Sequence, residues 1–205
     1  MNKLLLTVML LSSMAFAGTL DFTQTNNSSQ IPCSGSSPCG TFTTTNGTGA
    51  FAGDVVFTVD LSLIGNLQFD KLGFNGDLSF GDLSLLCFNF GSACSSGVGG
   101  ASLNGSGQED GFGKFDYTLL TGLDGGSGCG SNGSGCKLLF TFVIGDSQGS
   151  ISTSDFTNAA GHVANGSYSG YIATGDAPST PEPSSLLLLG SGILLVGFRL
   201  RAIWR

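Results

Sequence analysis

Phe57-Thr58-Val59-Asp60-Leu61-Ser62-Leu63 alternates apolar and polar side chains without a break. Successive side chains of an extended strand point to opposite faces, so this stretch reads as a strand with one face in a core and the other in water. Phe115-Asp116-Tyr117-Thr118-Leu119 repeats the alternation. Residues 138–144 are apolar nearly throughout, as expected of a central strand covered on both faces. Further strand candidates are 20–25, 67–74, 78–90 (one strand or two) and 168–173. Asn75-Gly76, Asp110-Gly111, Asp124-Gly125-Gly126 and Gly145-Asp146 supply turn chemistry between them. Short strands at such spacing, with no helical period in the body, predict an all-β fold: an antiparallel β-sandwich or a jelly roll.

Composition agrees. The chain has 205 residues, of which 34 are glycine and 16 phenylalanine. Glycine inside a helix costs about 1 kcal/mol relative to alanine, so a helix bundle is excluded. An apolar fraction of 40% is too high for a disordered polymer. All three arginines, Arg199, Arg201 and Arg205, lie in the last seven positions. Between Gly18 and Pro183 only three lysines face all 14 acids. A body this acidic repels phosphate backbones, which excludes nucleic acid as a partner and suits a soluble exported surface.

The two ends read as addresses. Met1-Asn2-Lys3 is followed by an apolar run to Met14 and by Ala15-Phe16-Ala17 before Gly18. A basic start, a short apolar core and an A-x-A site describe a signal peptide over residues 1–17, cut between Ala17 and Gly18. At the other end, Pro181-Glu182-Pro183 precedes an apolar stretch over 184–198, closed by Arg199, Arg201 and Arg205. The prolines cannot sit inside a helix and hold an extended, protease-accessible segment. Fifteen helical residues reach only about 22 Å, short of the roughly 30 Å hydrocarbon core. Extension through Trp204 spans it, provided the arginines snorkel to the headgroups. The expectation is a single C-terminal transmembrane helix with a cytoplasmic basic end, held briefly by the inner membrane and then cut. The organisation is therefore signal peptide 1–17, secreted β-domain 18–177 and sorting segment 178–205.

In its order of tripeptide, leucine-rich span and arginine-rich end, residues 181–205 resemble the PEP-CTERM sorting signal. The resemblance implies processing by an exosortase, a membrane-embedded cysteine transpeptidase-like enzyme, near Pro181-Glu182-Pro183. It also implies a Gram-negative, exopolysaccharide-making host and delivery to the cell surface or matrix. The body resembles other exported proteins with this tail at Asp70-Lys71-Leu72-Gly73-Phe74-Asn75, at Gly161-His162-Val163 and at Ser169-Gly170-Tyr171-Ile172.

Six cysteines fall into three close pairs: Cys33 with Cys39, Cys87 with Cys94, and Cys129 with Cys136. An even count in an exported chain argues for disulfides, although six cysteines allow 15 connectivities. Local pairing is the economical reading, each bridge closing a Gly/Ser-rich loop for about 2.5 kcal/mol. Metal ligation is the rival, but the spacings are wider than those of zinc sites and a single histidine adds little.

Candidate chemistry is sparse. Gly145-Asp146-Ser147-Gln148-Gly149 fits the G-x-S-x-G nucleophile elbow, with Asp155 and His162 following in hydrolase order. An elbow needs a helix next, whereas Ser150-Ile151-Ser152-Thr153-Ser154 is polar and β-prone, so the motif reads as a turn. His162, the only imidazole, reads as a hydrogen-bonded structural residue. Glu109 and Asp110 are adjacent and point apart, which disfavours paired acid–base work. Asp77 and Asp82 recur in a small Gly-Asp-Leu-Ser repeat without a calcium-loop pattern. Tyr117, Tyr168 and Tyr171 are the only body residues besides phenylalanine that could stack on sugars. Sequons begin at Asn27, Asn46, Asn104, Asn132 and Asn165. The expectation is a non-enzymatic, exopolysaccharide-associated surface protein with no cofactor and no metal; the alternative is a carbohydrate- or calcium-binding module.

Overall fold

The computed structural model describes residues 17–95, 97–123, 128–130 and 132–175. Residues 1–16 of the expected signal peptide, Ala15 among them, and the whole sorting segment lie outside the described residues. Among the described residues, no helix is long and apolar enough to cross a membrane.

Among the described residues twelve strands carry the fold: β1 Ala17–Thr25, β2 Thr41–Asn46, β3 Val55–Asp60, β4 Gln68–Gly76, β5 Leu83–Phe90, β6 Ser102–Asn104, β7 Gly107–Glu109, β8 Gly113–Phe115, β9 Tyr117–Leu120, β10 Leu139–Asp146, β11 Phe156–Ala164 and β12 Ser169–Thr174. The only helical pieces described are three 3₁₀ turns, at Gly49–Phe51, Phe80–Asp82 and Thr153–Asp155. Ten strands form one continuous sheet, ordered β5-β10-β3-β2-β1-β12-β11-β4-β9-β6, while β7 and β8 form a separate hairpin. Every strand pair is antiparallel.

The all-β, antiparallel expectation holds. The ten strands lie in a single sheet that folds back on itself toward a barrel, because β1 serves both layers. The first half of β1 pairs with β2, from Ala17↔Thr45 to Asp21↔Thr41. Its second half pairs with β12, from Phe22↔Thr174 to Thr25↔Ile172, across an irregularity between Phe22 and Gln24. A bulge of this kind bends a strand and re-aims it.

Phenylalanines from the two layers meet in the space between them. Phe57 on β3 touches Phe74 on β4, with centroids 5.5 Å apart, and Phe156 on β11 at 4.8 Å. Phe140 on β10 meets Phe69 on β4 edge to face. All five rings are buried. Such offset and edge contacts suit the aromatic quadrupole and add to the gain from burial.

Two of the sequence-read strands end early for local reasons. Leu61, Ser62 and Leu63 do not continue β3. Asp60 Oδ1 accepts from Ser62 N–H at 2.7 Å, and Leu61 C=O accepts from both Ile64 and Gly65, which turns the chain. The strand read at 115–119 breaks at Asp116, whose N–H donates to Asn75 Oδ1; Phe115 belongs to the hairpin and Tyr117 to the main sheet. Of the run read at 138–144, all but Leu138 lie in the central strand β10, with β3 on one side and β5 on the other. In the region read as one strand or two, 78–90, a 3₁₀ turn precedes a single strand. Asp110-Gly111 is the turn of the β7–β8 hairpin, with Gly111 at φ +89°. The turn read at Asp124-Gly125-Gly126 lies outside the described residues.

The cysteines are joined as Cys33–Cys39, Cys87–Cys94 and Cys129–Cys136, and none of those described is free. The second bridge has a particular use. It folds the chain after β5 back along that edge strand, so that Phe88 N–H donates to Gly97 C=O at 2.9 Å. Covering an edge removes a template for pairing with another chain.

Candidate functional site

The segments singled out at 70–75, 161–163 and 169–172 become neighbouring strands. His162 on β11 stands opposite Lys71 on β4 and opposite Tyr171 on β12. Residues that alternate inward and outward place Leu72, Val163 and Ile172 in the core and leave Lys71, His162 and Tyr171 on the outer face. An irregularity between His162 and Val163 brings Asp70 to the same face. His162 Nδ1 donates to Asp70 Oδ1 at 2.7 Å, and the imidazole lies 4.9 Å from the Tyr171 ring. The Asp70 hydrogen bond, aided by its charge, holds the histidine proton above the ordinary 6.5, against the opposing effect of burial.

The β7–β8 hairpin covers part of this face. Phe115 packs with Ala160 and Ala173, and Phe112 flanks them, forming a small second core outside the sheet. Gly73 makes this approach feasible: a Cβ there would lie 2.9 Å from Phe115 Cγ and 3.0 Å from Glu109 Cγ. Glu109 is fully buried beneath the hairpin. Its Oε1 pairs with Lys71 Nζ at 3.0 Å, and its Oε2 has no hydrogen-bonding partner among the described residues. Burial raises the Glu109 carboxyl above the ordinary 4.5, and the Lys71 ammonium only partly counters it. Lys71 Nζ also donates to Gln108 C=O at 2.6 Å, and Asn26 Nδ2 to Asp110 C=O at 3.2 Å. Glu109 and Asp110 do point apart, one buried and one exposed.

The other sequence candidates hold structural partners. Ser147 follows the end of β10, and its N–H donates to Asp82 C=O. Asp155 accepts from Ser152 N–H at 2.8 Å in the cap of a 3₁₀ turn, which stands where a nucleophile elbow would need a helix. Asp82 Oδ1 accepts from Gln148 Nε2. Among the described residues no three His, Cys, Asp or Glu side chains gather as a metal ion would require. The tyrosines do not make a common platform: Tyr117 is buried, with its hydroxyl on Gly76 and Leu78. Tyr168 Oη accepts from Asn66 Nδ2. Asn165 is buried, its Nδ2 donating to Asn66 C=O, so that sequon offers no free amide.

Sequence reasoning passed over the Lys71–Glu109 pair. The one available signal was Gly73, whose lack of a side chain between Leu72 and Phe74 marks a close approach from the outer face.

The described domain is thus an all-β, disulfide-stapled module whose chain continues into a short terminal segment. Residues 179–202 of that segment match the family described as the PEP-CTERM protein-sorting motif. The match takes in Pro181, Glu182, Pro183, Arg199 and Arg201, and it is consistent with an exported chain that is a substrate of an exosortase. No curated protein and no solved structure matches the chain.

Proposed function

We propose that this chain is a non-enzymatic component of the cell surface or extracellular matrix, associated with exopolysaccharide. On this reading its precursor is held in the inner membrane by a helix over the apolar stretch 184–198 and is released by an exosortase cutting near Pro181-Glu182-Pro183. The observation that carries it is the agreement between the family match at 179–202 and the order of prolines, apolar span and arginines. A signal-peptide pattern at residues 1–17, three disulfides and an acidic body support an oxidising destination outside the cytoplasm. Asp155 and His162 are engaged with partners other than Ser147, which speaks against a Ser147 triad.

The test replaces Pro181-Glu182-Pro183 by three alanines in the native host. Uncut, membrane-bound precursor should accumulate, while the parent chain appears as a shorter, released form. Normal processing of the variant would refute the reading. Retention of the released form by washed exopolysaccharide, compared with a polysaccharide-deficient strain, tests the matrix association.

A further inference from the structure

We propose that Glu109 is a proton-operated latch for the β7–β8 hairpin, which lies closed on the sheet when the carboxyl is protonated and loosens when it ionises. The geometry is that of a carboxyl enclosed without enough partners. Glu109 has no exposed surface, and Gly73 and Phe115 border its side chain. One oxygen faces Lys71 and the other faces no donor among the described residues. A buried carboxylate in that position is short of hydrogen bonds, whereas the neutral acid loses far less on leaving water.

The charges around it fix the direction. β4 contributes Lys71, which favours the ionised form, and Asp70, which opposes it; β11 contributes His162, which favours ionisation while it is protonated. Tyr171 on β12 faces the same cluster, and Asp110 and Lys114 of the hairpin itself are exposed. When the hairpin lifts, Glu109 returns to water and to its ordinary titration near 4.5. The proton is therefore held more tightly in the closed form. Closure is strongest below that value and weakens as pH rises through the raised one. A second loosening follows as His162 loses its proton and the carboxylate keeps only Lys71 as counter-ion. In the closed form Lys71 also holds Gln108 C=O, a contact that does not depend on the charge of Glu109. Opening uncovers Phe115, Ala160 and Ala173, an apolar patch that is otherwise sealed.

Hydrogen exchange in the full-length protein reads this directly, with rates corrected for the intrinsic effect of pH. Protection of amides 107–115 should fall severalfold between about pH 5 and pH 9, because the closed form binds the Glu109 proton more tightly than the open one. Protection in the core strand β10 should stay unchanged. Glu109→Gln, which imitates the neutral acid, should keep the hairpin protected across that range. Lys71→Met removes the nearest counter-ion and should enlarge the fall. Constant protection in the parent protein, an undiminished fall in E109Q, or a smaller fall in K71M would each overturn the latch.

Discussion

Phe57 and Phe142 stand directly opposite each other on β3 and β10, their rings 4.6 Å apart and 4° from parallel. The same Phe57 meets Phe156 edge-on from the other layer, so one ring joins both sides of the core. Truncation of a buried phenylalanine typically costs about 3–5 kcal/mol, through lost transfer energy and the cavity left behind. Phe57→Ala should lie in that range and Phe57→Leu well below it, as measured by urea denaturation of the oxidised protein.

Gly73→Ala tests the fit between hairpin and sheet. The added methyl would lie 2.9 Å from Phe115 Cγ, closer than real Cβ atoms come, and tightly against Glu109 at 3.0 Å, so the hairpin must shift outward. Overpacking of this kind costs about 1–3 kcal/mol. The expected signature is local: amides 107–115 lose protection while those of β10 do not.

The Cys87–Cys94 bridge should matter for association as well as for stability. Replacing both cysteines by serine should cost about 2.5 kcal/mol by the chain-entropy estimate. It should also free the β5 edge, because the return of Gly97 to Phe88 loses its tether. Concentration-dependent dimers or larger species on gel filtration, absent from the parent protein, are the expected outcome.

His162 offers a clean titration, as it is the only histidine in the chain. Its pKa is raised, chiefly by the Asp70 hydrogen bond, so the associated stability is complete below 6.5 and is lost as pH rises through the elevated value. Asp70→Asn removes the charge and should return the imidazole toward its ordinary range, read from its ring-proton shifts against pH. The stability advantage of the parent over D70N should shrink at alkaline pH.

Much of this architecture was legible in local pattern. The alternation at 57–60 and the apolar run at 139–144 reported β3 and β10 correctly, because strand periodicity depends only on which face is buried. The ends of strands were not legible. Whether Ser62 extends β3 or turns depends on the Asp60 carboxylate capturing its N–H, a choice that periodicity does not encode. β2 was missed: Thr41-Phe42-Thr43-Thr44-Thr45-Asn46 carries one large apolar residue, Phe42, and owes its place to pairing with β1 and β3. The ionic cluster was half visible. Asp70, Lys71 and His162 stood in segments already singled out, whereas Glu109 was weighed only as the neighbour of Asp110, in a hairpin far along the chain. Only the antiparallel pairing of β4 with β11 and the close approach at Gly73 bring the four together.

The seam at β1 has a consequence for biogenesis. Phe22 near the start of the body lies against Thr174 at its end, and Gly175 N–H reaches back to Asp21 C=O. A polypeptide emerging head first from a secretion pore can pair the first half of β1 with β2 early, but its second half stays unmatched until nearly every later residue has come through. Vectorial passage therefore leaves the two layers unsewn until the last moment. On the proposed sorting route, maturation would begin with the body complete, since its final stitch directly precedes the segment that bears the sorting motif.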